Sequence, residues 1–242
     1  MLLSAYIAIV VAGGGAALWS AGAPDPTIGW LALLFWFLAN MLGEVLWLPA
    51  PKGHGYLSMA NAANFATLIL LPASPAVAVT AAAGFAADLV FRRRKWYQAL
   101  FNFGMCAVTV AASSTVFHVT GGVSSSLELL VSPLNAVPLL LAALTYFAVN
   151  TGLVAGVVAL RTSQPAWNVW RTSFAFPYEM IGAVVLNLLG YLFAILFLTW
   201  GYMSAFLAVI ATYFIRDAYM RYVSQDQAPV GGRPGDAPGS AS

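Results

Sequence analysis

The chain has 242 residues, 61% of them hydrophobic and 7% charged, with a formal net charge of +2. So few charges cannot solvate a globular surface of that size, which excludes ordinary soluble domains and makes lipid the solvent. A net charge this small, confined to short loops, also excludes a nucleic-acid partner and reads as a topology signal.

A membrane helix needs about 20 apolar residues, and the sequence supplies about eight such stretches. They lie near 2–19, 30–48, 56–72, 76–91, 99–119, 135–160, 178–197 and 200–221. Proline marks most boundaries: Pro24 and Pro26, Pro49 and Pro51, Pro72 and Pro75, Pro133, and Pro177 at the start of the seventh stretch. The third stretch is the least apolar and carries Asn61 and Asn64. The first resembles a signal-peptide core, but no positive residue precedes it, so it is read as a retained span.

In this threading all ten Lys and Arg fall on one face: Lys52, the run Arg92 to Lys95, Arg161, Arg171, Arg216, Arg221 and Arg233. The positive-inside rule makes that face cytoplasmic. The expected fold is therefore all-α, a polytopic transmembrane bundle over residues 1–223 in the cytoplasmic membrane, with both termini cytoplasmic. From Gln225 onward the composition turns to Gly, Pro, Ala, Ser and Asp. Nothing there has a core to join, so residues 224–242 are expected to form a disordered cytoplasmic tail.

Catalysis finds little support, and the chain is expected not to be an enzyme. His54 and His118 sit at opposite faces and cannot share a haem or a metal. Lys52 and Lys95 lie at the membrane edge, Cys106 is alone, and Ser124, Ser125 and Ser126 occupy an outer loop without a nucleophile turn. No cofactor is expected.

Polar residues within the spans carry more information, because an ionisable group in hydrocarbon must be paired or wetted. Glu44, Asp88 and Glu179 lie toward the cytoplasmic ends, with Asn40, Asn61, Asn64, Asn102 and Asn150 at similar depth and Asn187 nearer the middle. Amides between membrane helices commonly serve as packing contacts. The alternative is a polar core or ligand site opening to the cytoplasm. Asp88 has Arg92 four residues on and reads as an interfacial ion pair. Glu44 and Glu179 have no such local partner. The run Arg92, Arg93, Arg94 and Lys95 reads as a surface for anionic headgroups or an acidic partner.

Gly152 and Gly156 form a small-xxx-small spacing for helix packing, and Gly13, Gly14 and Gly15 invite a kink or a close neighbour in the first span. Trp19, Trp30, Trp47, Trp96, Trp167, Trp170 and Trp200 fall near span ends, where an amphipathic ring prefers the interface.

The stretch from Asp88 through the basic run to Asn102 resembles the membrane-embedded N-terminal region that precedes HD-type phosphohydrolase and GGDEF-type cyclase domains in bacterial signalling proteins. Supporting positions are Glu44 before a Pro-containing turn, Asn64 to Pro72 ending in Leu-Leu-Pro, Gly121–Gly122, Asn150–Thr151, and Arg216 to Tyr222. The resemblance spans about residues 30 to 223 and implies a sensory or regulatory membrane module that acts by binding. Because Tyr222 leads into the short tail, the module is expected to stand alone, and the catalytic activities are not carried over. Two other classes stay open: an accessory subunit of a larger membrane complex, and the substrate-binding subunit of an energy-coupling transporter. Expected partners are membrane lipids, other membrane proteins or a second copy of the chain, and a small-molecule ligand.

Overall fold

Small residues, more than large apolar ones, set how closely these helices meet. The computed structural model describes residues 1–23, 28–49, 56–175 and 177–207, and within the last stretch 210, 211, 213, 214, 217, 218 and 221. Lys52, His54, Arg216, Arg233 and the 224–242 tail lie outside the described residues, as does the Glu179 side chain.

The elements run α1 (Leu2–Ser20), α2 (Trp30–Val45), β1 (Trp47–Pro49), β2 (Tyr56–Ser58), α3 (Ala60–Leu70), α4 (Ala73–Val90), α5 (Trp96–Val119), α6 (Leu127–Leu130), α7 (Ala136–Thr162), α8 (Ala166–Ser173) and α9 (Pro177–Trp200). A 3-10 turn at Gly201–Met203 follows, and the chain resumes as helix at Ser204. The fold is thus helical and polytopic. Its departure from an all-α bundle is an antiparallel strand pair that matches Trp47 with Ser58 and Pro49 with Tyr56. Pro49 lacks the N–H that would continue a helix, so the chain leaves α2 extended and the third apolar stretch becomes helical only at Ala60, not at Tyr56.

Among the described residues, five helical stretches are long and apolar enough to cross a membrane: Leu2–Ser20, Ala73–Val90, Trp96–Val119, Pro133–Thr162 and Met180–Leu207. The sequence suggested about eight. The difference lies in α2 and α3, whose 16 and 11 residues reach about 24 and 17 Å against a hydrocarbon layer of about 30 Å. The last apolar stretch is described only in part.

Short as it is, α3 sits at the centre: eight of its eleven residues are buried. It packs on α9, α2, α4 and α5, while α5 in turn packs on α4, α1 and α7. Trp36, Phe65, Leu68, Ile69, Val77, Val110 and Phe117 form the main core. Around Trp36 an aromatic cluster joins α2 to α9, with ring centroids 5.3 Å from Phe193 and 5.0 Å from Phe197.

The close approaches are specific. A Cβ at Gly14 would stand 2.6 Å from Gly104 Cα, and one at Gly104 would stand 2.6 Å from the Val10 carbonyl oxygen, so α1 and α5 cross glycine on glycine. Gly43 meets Ala60, and Gly190 meets the Ala62 carbonyl. Of the Gly152 and Gly156 pair, Gly156 accommodates the Tyr6 ring of α1, whose hydroxyl donates to the Leu153 carbonyl at 3.0 Å. Gly152 is exposed and a Cβ there meets nothing within 4 Å, so half of that motif is not used for packing within the chain.

Gly104→Val should force α1 away from α5 and cost about 1–3 kcal/mol, whereas Gly152→Val should stay within about 0.5 kcal/mol. Thermal unfolding of both variants in detergent checks this pair of outcomes.

Candidate functional site: a buried charge cluster at one rim

Asp88 lies in the last turn of α4, where the helix dipole disfavours a negative charge, and it is completely buried. Two arginines answer it. The turn after α4 carries Arg92, whose Nη1 stands 3.0 Å from Asp88 Oδ1, and Arg94, whose Nη1 stands 3.5 Å from Oδ2. The i,i+4 pair expected at the interface is therefore an inward-facing one.

Arg92 also reaches across to the end of α2. Its Nη2 lies 2.7 Å from Glu44 Oε2 and donates to the Glu44 backbone carbonyl at 2.6 Å. That carbonyl is one of the last four in α2 and has no intrahelical donor, so the guanidinium caps the helix and neutralises its carboxylate together. Ser58, from β2, adds a hydroxyl donor to Glu44 Oε2 at 3.3 Å. Glu44 is 6% exposed. The partner missing from its own helix is supplied by a residue 48 positions away.

Arg93 and Lys95 behave differently, for both are exposed. Arg93 has φ 49°, a left-handed backbone that lets the Arg94 N–H return to the Asp88 carbonyl at 2.9 Å. The Lys95 N–H is bound by the Gln98 side chain at 3.2 Å, at the start of α5. The basic run thus divides: Arg92 faces inward, Arg93 and Lys95 outward, and Arg94 is shared between them.

Deeper in the bundle the amides form separate pairs. Asn40 donates to the Trp36 carbonyl at 2.7 Å and to Thr67 at 2.8 Å. Asn64 donates to the Tyr146 hydroxyl at 2.9 Å, and that hydroxyl donates to Asn61 at 3.3 Å. Asn102 Nδ2 has no hydrogen-bond partner, and its Oδ1 lies 3.9 Å from the Cys106 thiol. Asn102, Cys106 and Glu44 Oε1 all converge on Gly84, whose missing side chain leaves them room. Asn150 is half-buried on α7, and its side chain makes no hydrogen bond among the described residues. Asn187 lies apart, on α9, with its Oδ1 unpartnered.

Several residues of these networks escaped the sequence reading. Ser58 and Thr67 carried no signal beyond polarity. Tyr146 did, since a tyrosine well inside an apolar helix must find a partner for its hydroxyl. At the opposite rim, buried Asn135 donates to the Leu129 carbonyl at 2.6 Å and accepts from the Val123 N–H at 2.9 Å, fixing the loop that holds Ser124 to Ser126. Ser126 itself caps α6 and Ser124 donates to the Ile69 carbonyl, so both hydroxyls serve the loop.

Apolar helices around a buried charged rim, with Asn40, Asn61 and Asn64 paired between helices, define a polytopic membrane module. The chain belongs to the MASE9 family of membrane-associated sensory domains, whose model matches residues 55–220. The match begins after α2, so Asp88 and Arg92 lie inside it and Glu44 outside. No curated protein and no solved structure matches the chain.

Arg92→Gln should leave Glu44 buried without a counter-charge and Asp88 with Arg94 alone, and destabilise the bundle by about 3–5 kcal/mol. Arg93→Gly, which relieves the left-handed backbone, should gain up to about 1 kcal/mol. Equilibrium unfolding in mixed micelles separates the two arginines.

Proposed function

We propose that the chain is the input module of a bacterial signalling system of the HD or GGDEF type. It lies in the cytoplasmic membrane with both termini on the cytoplasmic side and acts by binding, without chemistry of its own. The observation that carries this reading is the Glu44–Arg92–Asp88 cluster in a chain of a membrane sensory family. It joins α2 to α4 at one rim, next to the exposed Arg93 and Lys95, where a rearrangement in the bundle reaches the surface.

The charge distribution supports the orientation. Arg92 to Lys95 follow α4, Arg161 lies in the last turn of α7 and Arg171 in α8. The opposite end, where Ser74 donates to the Gly22 carbonyl and Ser124 to the Ile69 carbonyl, has Glu128 nearby and no Lys or Arg between Pro72 and Phe91 or between Trp96 and Leu160. α8 fits an interfacial helix: Val169 is buried against α7, Trp170 donates to Thr151 at 2.9 Å, and Trp167 stacks on Trp170 with its face outward.

Gentle detergent extraction followed by native mass spectrometry tests the reading. A cytoplasmic signalling protein, or a second copy of the chain, should copurify in fixed stoichiometry, and Glu44→Gln should change that association at unchanged expression. A copurifying ATPase with a coupling protein would assign the chain to a transporter, and a large set of respiratory or transport subunits would make it an accessory subunit. Arg93→Gln with Lys95→Gln should weaken association with anionic liposomes by about 1 kcal/mol per charge, measured by flotation.

A further inference from the structure

A groove between α7 and α9 contains a buried polar group that the protein leaves unanswered. The groove encloses a cavity of about 370 Å³, with Phe65 of α3 on its floor, Leu140, Ala143 and Phe147 on the α7 side, and Val184 and Leu188 on the α9 side. That volume lies within the range of small-ligand sites, about 300–1,000 Å³. Leu140, Val184 and Leu188 are each more than half exposed, so the groove is reached from the surrounding lipid.

Asn187 lines the same groove. It is 6% exposed and its Oδ1 has no hydrogen-bond partner. It stands roughly 15 Å along α9 from Pro177, near the middle of the hydrocarbon layer, where neither lipid tails nor bulk water can pair with an amide. The other polar groups of the lining are engaged: Tyr191 donates to the Leu130 carbonyl at 3.4 Å, and Ser132 accepts from the Leu134 N–H at 3.4 Å.

The chemistry of an occupant follows. A charged molecule would meet no counter-charge on these walls, and a plain hydrocarbon would leave the amide unpaired. A hydroxyl group answers the amide in either of its orientations, donating to the oxygen or accepting from the nitrogen. We propose that the α7–α9 groove binds a neutral, chain-like molecule bearing one hydroxyl group, taken from the bilayer and anchored at the Asn187 amide. This names the ligand class of the sensory module and rests on that reading only for its purpose, since occupancy is measured without any signalling output.

Two photoaffinity probes test it on the purified full chain: a diazirine-bearing long-chain alcohol, and the matching alkane without the hydroxyl. The alcohol should label the walls of the groove about fivefold to tenfold more than the alkane, the selectivity one hydrogen bond supplies. Asn187→Leu should abolish the preference and keep the alkane labelling. Ala143→Phe, which fills the groove and leaves the amide in place, should remove labelling by both. Equal labelling by the two probes, or a preference that survives Asn187→Leu, would overturn the proposal. If Asn187→Leu does not fold, Ala143→Phe decides: undiminished alcohol labelling of the groove walls overturns it. Selective labelling without any copurifying signalling partner or second copy would count against the sensory reading and leave the site standing.

Discussion

Arg92 answers two buried carboxylates and one helix-terminal carbonyl with a single guanidinium, and the arrangement of α2 against α4 depends on that contact. Each group alone would be a liability. Asp88 opposes the dipole of its own helix, Glu44 ends a helix whose last carbonyls lack donors, and an arginine turned into an apolar bundle needs its charge matched. Placed together they fix the ends of two helices to each other. Ser58 then attaches the strand pair to the same carboxylate, so three elements meet at one charged rim. A contact of this kind resists gradual displacement, because losing Arg92 leaves the buried Glu44 carboxylate without its counter-charge.

Inside the rim the bundle is held by close backbone approach and by amide pairs. Gly14 against Gly104, Gly43 against Ala60 and Gly190 against Ala62 bring α1 to α5 and bring α2 and α9 to α3. Lipid tails are as apolar as leucine, so contacts of this kind replace the hydrophobic drive that holds a soluble core. The half-length α3 belongs to the same scheme. It does not span the layer by itself, and its polar residues Asn61, Asn64 and Thr67 are taken up by Tyr146 and Asn40 of neighbouring helices.

Much of the helical course was legible from apolar length, which lipid demands, and from proline punctuation, since proline cannot continue a helix. The strand pair was not, since Trp47 to Pro49 and Tyr56 to Ser58 are too short to show a period of two residues. The shortness of α3 was hidden as well: its apolar stretch continues across Tyr56 and Leu57, and only their pairing with β1 shows where the helix begins. Among the polar residues, Asp88 with Arg92 could be read from i,i+4 spacing, whereas Glu44 with Arg92 could not, for contact across 48 positions leaves no periodic trace in one sequence. The Gly152 and Gly156 pair shows the reverse error, a spacing that promises packing at two positions and uses one. Trp167 and Trp170 were placed at a span end by composition, but that Trp170 would reach Thr151 depended on α8 folding back onto α7.

The most direct test of the charged rim is a double-mutant cycle between Glu44→Gln and Arg92→Gln, read as unfolding free energies of the four proteins in the same detergent. If Arg92 holds α2 through Glu44, the double variant should be less destabilised than the sum of the single changes, with a coupling of at least about 1 kcal/mol. Additivity within about 0.5 kcal/mol would contradict the account, leaving the Glu44 carboxylate without a part in the link and Arg92 tied to α2 only through the Glu44 backbone carbonyl.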